Sequence, residues 1–87
     1  MNHQIKLIKI HKRRLAILLE QQRKFQDNTP PHIVTEIEDI IRNIKEIDTE
    51  LRRRLQELML KSARYGINTP VEVTLEIEDI HNYFDGI

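Results

Sequence analysis

The chain has 87 residues, and its 14 Lys and Arg side chains are balanced by 14 Asp and Glu. This balance removes the strong positive field on which non-specific binding to nucleic acids or anionic membranes depends. The chain contains no cysteine, which excludes disulfides and Cys-ligated zinc. Its longest unbroken apolar run, residues 15–19, is too short to span a bilayer. We therefore expect a cytoplasmic protein of one small domain.

Two short clusters of helix-breaking residues, 27–31 and 66–70, divide the chain into three amphipathic segments. The segments are rich in Leu, Ile, Glu, Lys and Arg, a composition typical of long helices. Short connections between them place neighbouring helices antiparallel. We predict an all-α fold of three antiparallel helices, at about 4–26, 30–64 and 70–84.

The two internal helix starts carry the same sequence signal, Thr29-Pro30 and Thr69-Pro70. A threonine hydroxyl can accept from a free amide of the first turn, and proline suits the first helical position. Glu72, three residues after Thr69, completes the sequence pattern of a capping box. The threonines are therefore predicted to be N-caps.

An internal repeat relates residues forty positions apart. The shift aligns three groups of identical residues: Arg13-Arg14-Leu15 with Arg53-Arg54-Leu55, Asn28-Thr29-Pro30 with Asn68-Thr69-Pro70, and residues 36–40 with residues 76–80. Repeats of this length mark stacked helical units. We predict that residues 1–87 form one domain of two hairpin repeats, about 12–44 and 52–84, which share the long central helix.

The apolar residues of the central helix fall in one sector about 120° wide at 100° per residue. They are Ile33, Ile37, Ile40, Ile41, Ile44, Ile47, Leu51, Leu55, Leu58 and Met59. Both flanking helices must therefore pack on one side of the central helix, with a modest overlap near residues 48–54. The inward residues expected on the first helix are Ile5, Leu7, Ile8, Leu15, Leu18, Leu19 and Phe25.

Five aliphatic residues do not fit these packing faces: Ile10, Ile17, Leu60, Val71 and Leu75. They are either scattered surface residues, which are common, or part of an interface. We favour an interface with a second copy or an effector domain, and we predict a homo-oligomer with a dimer as the preferred stoichiometry.

Repeated charged residues form a second group of candidates. Most are expected to support the helices, and the alternative is that they dock a partner. The docking candidates are Glu36, Glu38, Asp39, Glu76, Glu78, Asp79, Arg13, Arg14, Arg53 and Arg54.

Catalytic and metal-binding patterns are weak throughout the chain. Glu78 and His81 have the spacing of one ligand pair of a di-iron bundle, but Ile41 occupies the aligned position in the first repeat. There is no phosphate-binding loop and no nucleophile elbow. We predict no catalytic residue, metal or cofactor, and hence a protein that is not an enzyme.

The second loop and the helix after it, residues 64–70 and 76–80, carry a Y-G-x-N-T-P…E-I-E-D-I pattern. This pattern resembles a short helical-hairpin element of multidomain bacterial signalling and conflict proteins, where its neighbours include STAND-type NTPases such as NACHT proteins, TIR domains and caspase-like proteases. The resemblance covers residues 51–80, and 11–47 in a more diverged form. It implies an effector-associated adaptor that acts by homotypic or adaptor–effector association.

The first repeat departs from this pattern, since Phe25 and Gln26 replace Tyr65 and Gly66. Because glycine permits a left-handed helix end, the first turn is expected to end differently from the second.

The favoured function is an adaptor or oligomerisation module that acts by helix packing. The alternative is a small nucleic-acid-binding regulator that uses the basic residues of the first helix, Lys6, Lys9, Lys12, Arg13 and Arg14. Steep loss of affinity with salt would indicate phosphate contacts.

Overall fold

Three helices make up the fold in the computed structural model, which describes residues 3–86. They are α1 (His3–Phe25), α2 (Pro31–Tyr65) and α3 (Val71–Asp85). A short 3₁₀ turn follows each of the first two helices, Gln26–Asn28 after α1 and Gly66–Asn68 after α2. The predicted all-α fold is confirmed, and every helix boundary lies within one residue of its expected position. The predicted domain also includes Met1, Asn2 and Ile87, which lie outside the described residues.

The described part of the chain is a rod of 58 × 17 × 17 Å. Its radius of gyration is 17.3 Å, whereas a compact domain of this length would have about 12 Å. The long dimension matches α2, whose 35 residues extend for about 52 Å. α1 and α3 both pack antiparallel on the apolar stripe of α2, one towards each end.

The core consists of two clusters along this stripe. In one, α1 meets the first half of α2: Leu18, Ile33, Ile37 and Ile40 are buried, with Leu15 and Ile44 packed against them. In the other, all three helices contribute buried residues: Ile5, Ile8, Leu51, Leu58, Ile80 and Tyr83. The second cluster shows that the start of α1 and the end of α3 meet over the middle of α2, as the overlap near residues 48–54 predicts.

The edges of the apolar stripe are exposed, contrary to expectation. Ile41 and Met59 of α2 were expected to face inward, and so were Leu19 and Phe25 of α1, but each is at least about one-third exposed. The reason is geometric. A sector of about 120° can be fully covered only where helices flank it on both sides, and α2 has two neighbours only in its middle.

Proline, rather than threonine, occupies the N-cap position of both α2 and α3. The carbonyl of Pro30 accepts from the amide of Ile33 at 3.0 Å, and the carbonyl of Pro70 accepts from that of Val73 at 3.1 Å. No side chain caps either helix start. The predicted N-cap roles of the two threonines are wrong, because each threonine lies one residue too early.

The threonine hydroxyls instead stabilise the preceding turns. Thr29 Oγ1 donates to the carbonyl of Gln26 at 2.8 Å, and Thr69 Oγ1 donates to the carbonyl of Gly66 at 2.6 Å. The capping box predicted for Thr69 and Glu72 is therefore not formed. Glu72 lies in the first turn of α3, where its charge complements the helix dipole.

The two turns have matching backbones although one begins with glutamine. Gln26 has φ 54° and Gly66 has φ 56°, and the residues before them, Phe25 and Tyr65, are both right-handed helical. The expectation that the first turn ends differently is therefore wrong. Gly66 has ψ −126°, so the turn does not use the left-handed helical conformation that was expected of this glycine.

Candidate protein-interaction surfaces

One ion pair between helices recurs in both hairpins at the repeat distance of forty residues. Arg14 Nη2 lies 2.9 Å from Glu36 Oε1, and Arg54 Nε lies 3.0 Å from Glu76 Oε1. Arg54 donates to both carboxylate oxygens of Glu76, and these hydrogen bonds raise the pKa of Arg54 above its usual value. These four docking candidates therefore join the helices of their own hairpins.

The remaining charged candidates divide into two groups. Arg53 pairs with Glu50 and Glu57, and Asp39 pairs with Arg42 at 3.5 Å; such pairs on one helix surface contribute a few tenths of a kcal/mol. Within residues 3–86, four candidates form no ion pair: Arg13, Glu38, Glu78 and Asp79. These four charges are available to a partner.

All five aliphatic interface candidates are exposed, between 48% and 68%. At 100° per residue, Ile10 and Ile17 lie about 180–200° from the buried Ile8, on the side of α1 opposite α2. Val71 and Leu75 lie about 140–180° from the buried Ile80, on the side of α3 opposite α2.

These positions define two surfaces that open on the same side of the rod, because α1 and α3 pack on one stripe of α2. We name them the outer face of α1 (Lys6, Ile10, Arg13 and Ile17) and the outer face of α3 (Val71, Leu75 and Glu78). Leu60 lies about 200° from the buried Leu58 and therefore points away from α3, on the back of α2. The structure thus groups four of the five aliphatic candidates and separates Leu60 from them.

The second turn exposes apolar residues that were not among the candidates. Ile67 is fully exposed and Tyr65 is half exposed. The repeat contains the signal that could have identified Ile67, since its aligned residue is Asp27. Because an aspartate is rarely buried, the aligned position of the second repeat, Ile67, is expected to lie at the surface as well.

A shallow groove of about 500 Å³ runs along the surface where the start of α1 meets the end of α3. It is lined by Ile5, Lys9, Lys12, Asp79, Asn82, Tyr83 and Gly86. Lys12 Nζ lies 4.8 Å from the centroid of the Tyr83 ring, while the buried Tyr83 hydroxyl has no hydrogen-bond partner in the described part of the chain. Nowhere in residues 3–86 do three His, Asp or Glu side chains form a group that could hold a metal ion.

Charge is strongly segregated between the two flanking helices. α1 carries seven Lys and Arg residues and one acidic residue, Glu20. α3 carries no Lys or Arg and five acidic residues, Glu72, Glu76, Glu78, Asp79 and Asp85. α2 is balanced. The zero net charge of the chain therefore conceals one basic and one acidic helix on the same side of the rod.

Comparisons with protein-family models, curated proteins and solved structures found no match to this chain. Over residues 3–86, no helix has the length and apolarity needed to cross a membrane. The fold is therefore that of an elongated all-α rod, in which two helical hairpins share the central helix α2.

Proposed function

We propose that the chain is a protein-interaction module, an adaptor or oligomerisation element that brings a linked or partner effector into proximity by helix packing. The observation that carries this proposal is the exposure of Ile10, Ile17, Val71 and Leu75 on faces that open on one side of the rod. The resemblance of residues 51–80 to effector-associated hairpins supports the same function.

The apolar residues alone give a modest driving force. Full burial of one such side chain contributes about 1.5–3 kcal/mol, and these four are already about half buried, so together they contribute roughly 3–6 kcal/mol. Association costs about 4–15 kcal/mol in lost freedom of motion. A partner must therefore also satisfy the charged residues around the aliphatic ones.

The alternative, a nucleic-acid-binding regulator, rests on the basic half of α1, where residues 3–19 include five Lys or Arg and no acid. Two of these five are engaged within the fold, since Arg14 pairs with Glu36 and Lys12 contacts the ring of Tyr83. The acidic α3 adjoins the same region, and its charges repel phosphate. We therefore favour a protein partner.

The test of the proposed function is light scattering over a range of protein concentrations. We expect the wild type to associate and an Ile10→Glu/Ile17→Glu variant to be monomeric with unchanged helicity by circular dichroism. Leu60→Glu, on the back of α2, is the matched control and should associate like the wild type. A wild type that stays monomeric at every concentration, alone and with candidate effectors, would refute the proposal.

A separate titration tests the alternative. A fluorescently labelled DNA duplex and a labelled RNA are each titrated with the protein at low and moderate salt. No binding is expected. Binding that weakens steeply with salt would favour the nucleic-acid function.

A further inference from the structure

We propose that the partner is a second copy of this chain, bound so that the outer face of α1 in each copy lies against the outer face of α3 in the other. The inference rests on the proposed function and specifies its partner. It follows from three features of the two faces: their charge, their spacing and their common direction.

The two outer faces carry opposite charge around similar aliphatic pairs. Lys6 and Arg13 flank Ile10 on α1, whereas Glu78 lies on the outer face of α3 and Glu72 borders it. All four charged side chains are exposed, and none forms an ion pair within residues 3–86. Each face therefore offers the charges that the other lacks.

The spacing of these charges also matches. Lys6 and Arg13 are seven residues apart, about 10.5 Å along α1, and Glu72 and Glu78 are six residues apart, about 9 Å along α3. If the two helices run antiparallel, Lys6 faces Glu78 while Arg13 faces Glu72. Ile10 and Leu75, which lie between these charges, then meet in the centre of the contact.

A two-fold axis forms both contacts at once. The outer faces of α1 and α3 open on the same side of the rod and are displaced along it, so a two-fold axis perpendicular to the rod places α1 on the partner's α3 and α3 on the partner's α1. The same operation makes the paired helices antiparallel. The resulting interface is self-complementary and closed, which is the commonest arrangement of homodimers.

Pairing of like helices is disfavoured by the same charges. Contact between two copies of α1 would bring Lys6 and Arg13 against the same basic residues of the partner. Contact between two copies of α3 would oppose two sets of acidic residues. Like charges placed opposite each other across an interface are strongly unfavourable, so charge selects the α1–α3 pairing.

Charge reversal on one helix at a time tests the pairing. We expect Lys6→Glu/Arg13→Glu and Glu72→Lys/Glu78→Lys each to weaken homodimerisation by about ten-fold or more, because both contacts then oppose like charges. An equimolar mixture of the two variants should form a heterodimer with about the wild-type dissociation constant, because every contact is again between opposite charges. Sedimentation velocity measures the association constants of the wild type, the two variants and their mixture.

The control is Arg42→Glu/Arg64→Glu, which changes the net charge by the same amount as the α1 reversal. Both arginines lie on the side of α2 that is remote from the two outer faces, so this variant should dimerise like the wild type. If the α3 reversal loses helicity, Glu78→Lys alone replaces it. Reversal variants that still dimerise as well as the wild type, or a mixture that fails to restore binding, would refute this pairing while leaving the proposed function in place. A monomeric wild type would refute the dimer itself.

Discussion

The backbone of Gln26 adopts a conformation that favours glycine. Its φ of 54° matches the 56° of Gly66 at the same position of the second turn. A residue with a Cβ in such a sparsely populated region costs about 1–3 kcal/mol, and a glycine at the same position costs about 0.5–1 kcal/mol more in entropy on folding. The difference predicts that Gln26→Gly raises the free energy of unfolding by about 1 kcal/mol.

Urea unfolding followed by circular dichroism measures this change, and the melting temperature should rise by about 4–8 °C. Gln26→Ala is the control, because alanine keeps the unfavourable φ and should leave stability nearly unchanged. Gly66→Ala should lower stability by about 1 kcal/mol or more, since no atom lies within 4 Å of an added Cβ and only the backbone conformation opposes the change. If Gln26→Gly fails to stabilise the protein while Gln26→Ala does, the backbone explanation is wrong.

Four further substitutions test the core and the turns by the same unfolding measurement. Leu51→Ala removes a fully buried side chain where the three helices meet and should cost about 2–5 kcal/mol; a loss below 1 kcal/mol would show that the junction is not a packed core. Tyr83→Phe removes a buried hydroxyl that has no hydrogen-bond partner in the described structure, and it should raise the free energy of unfolding by about 1–3 kcal/mol. A loss of stability would instead indicate that the hydroxyl forms a hydrogen bond. Thr29→Val and Thr69→Val should each lower the free energy of unfolding by about 0.5–1.5 kcal/mol. The loss should be greater at Thr69, because its hydroxyl also lies 3.3 Å from the carbonyl of Ser62. Equal stability of the wild type and both variants would exclude a role for the hydroxyls.

The helices and their arrangement could be predicted because their signals are local and redundant. Breaking residues cluster at only two places, and the repeat places the same Asn-Thr-Pro sequence at both. The apolar stripe of α2 then allows only one side for both neighbours. Its centre was predicted correctly, as the buried Ile37 and Leu51 show.

The turns could not be predicted from the sequence because several local arrangements were equally consistent with it. Thr69 can accept from an amide of the next helix or donate to a carbonyl of the preceding turn, and the sequence is the same in both cases. The identity of residue 26 was misleading as well. Glutamine is uncommon at positive φ, but the hydrogen bond from Thr29 to the carbonyl of Gln26 matches the one from Thr69 to the carbonyl of Gly66.

The candidate interaction surfaces were only partly predictable for a different reason. Periodicity identified Ile10, Ile17, Val71 and Leu75 as surplus to the packing faces, yet it could not show that Leu60 lies on the opposite side of the rod from them. That conclusion requires the positions of α1 and α3 around α2. Exposure on a helix is a local property, whereas membership of one surface is a property of the fold.

The neutral net charge has a different meaning once the helices are placed. A net charge of zero over the whole chain argues only against a partner that carries a strong charge of one sign, such as nucleic acid. The structure places the basic α1 towards one end of the rod and the acidic α3 towards the other, so the field changes sign along its length. A uniform polyanion would be attracted by α1 and repelled by α3. A second copy, turned end for end, presents the opposite sign at both places, which is why the charge pattern favours association with the chain itself.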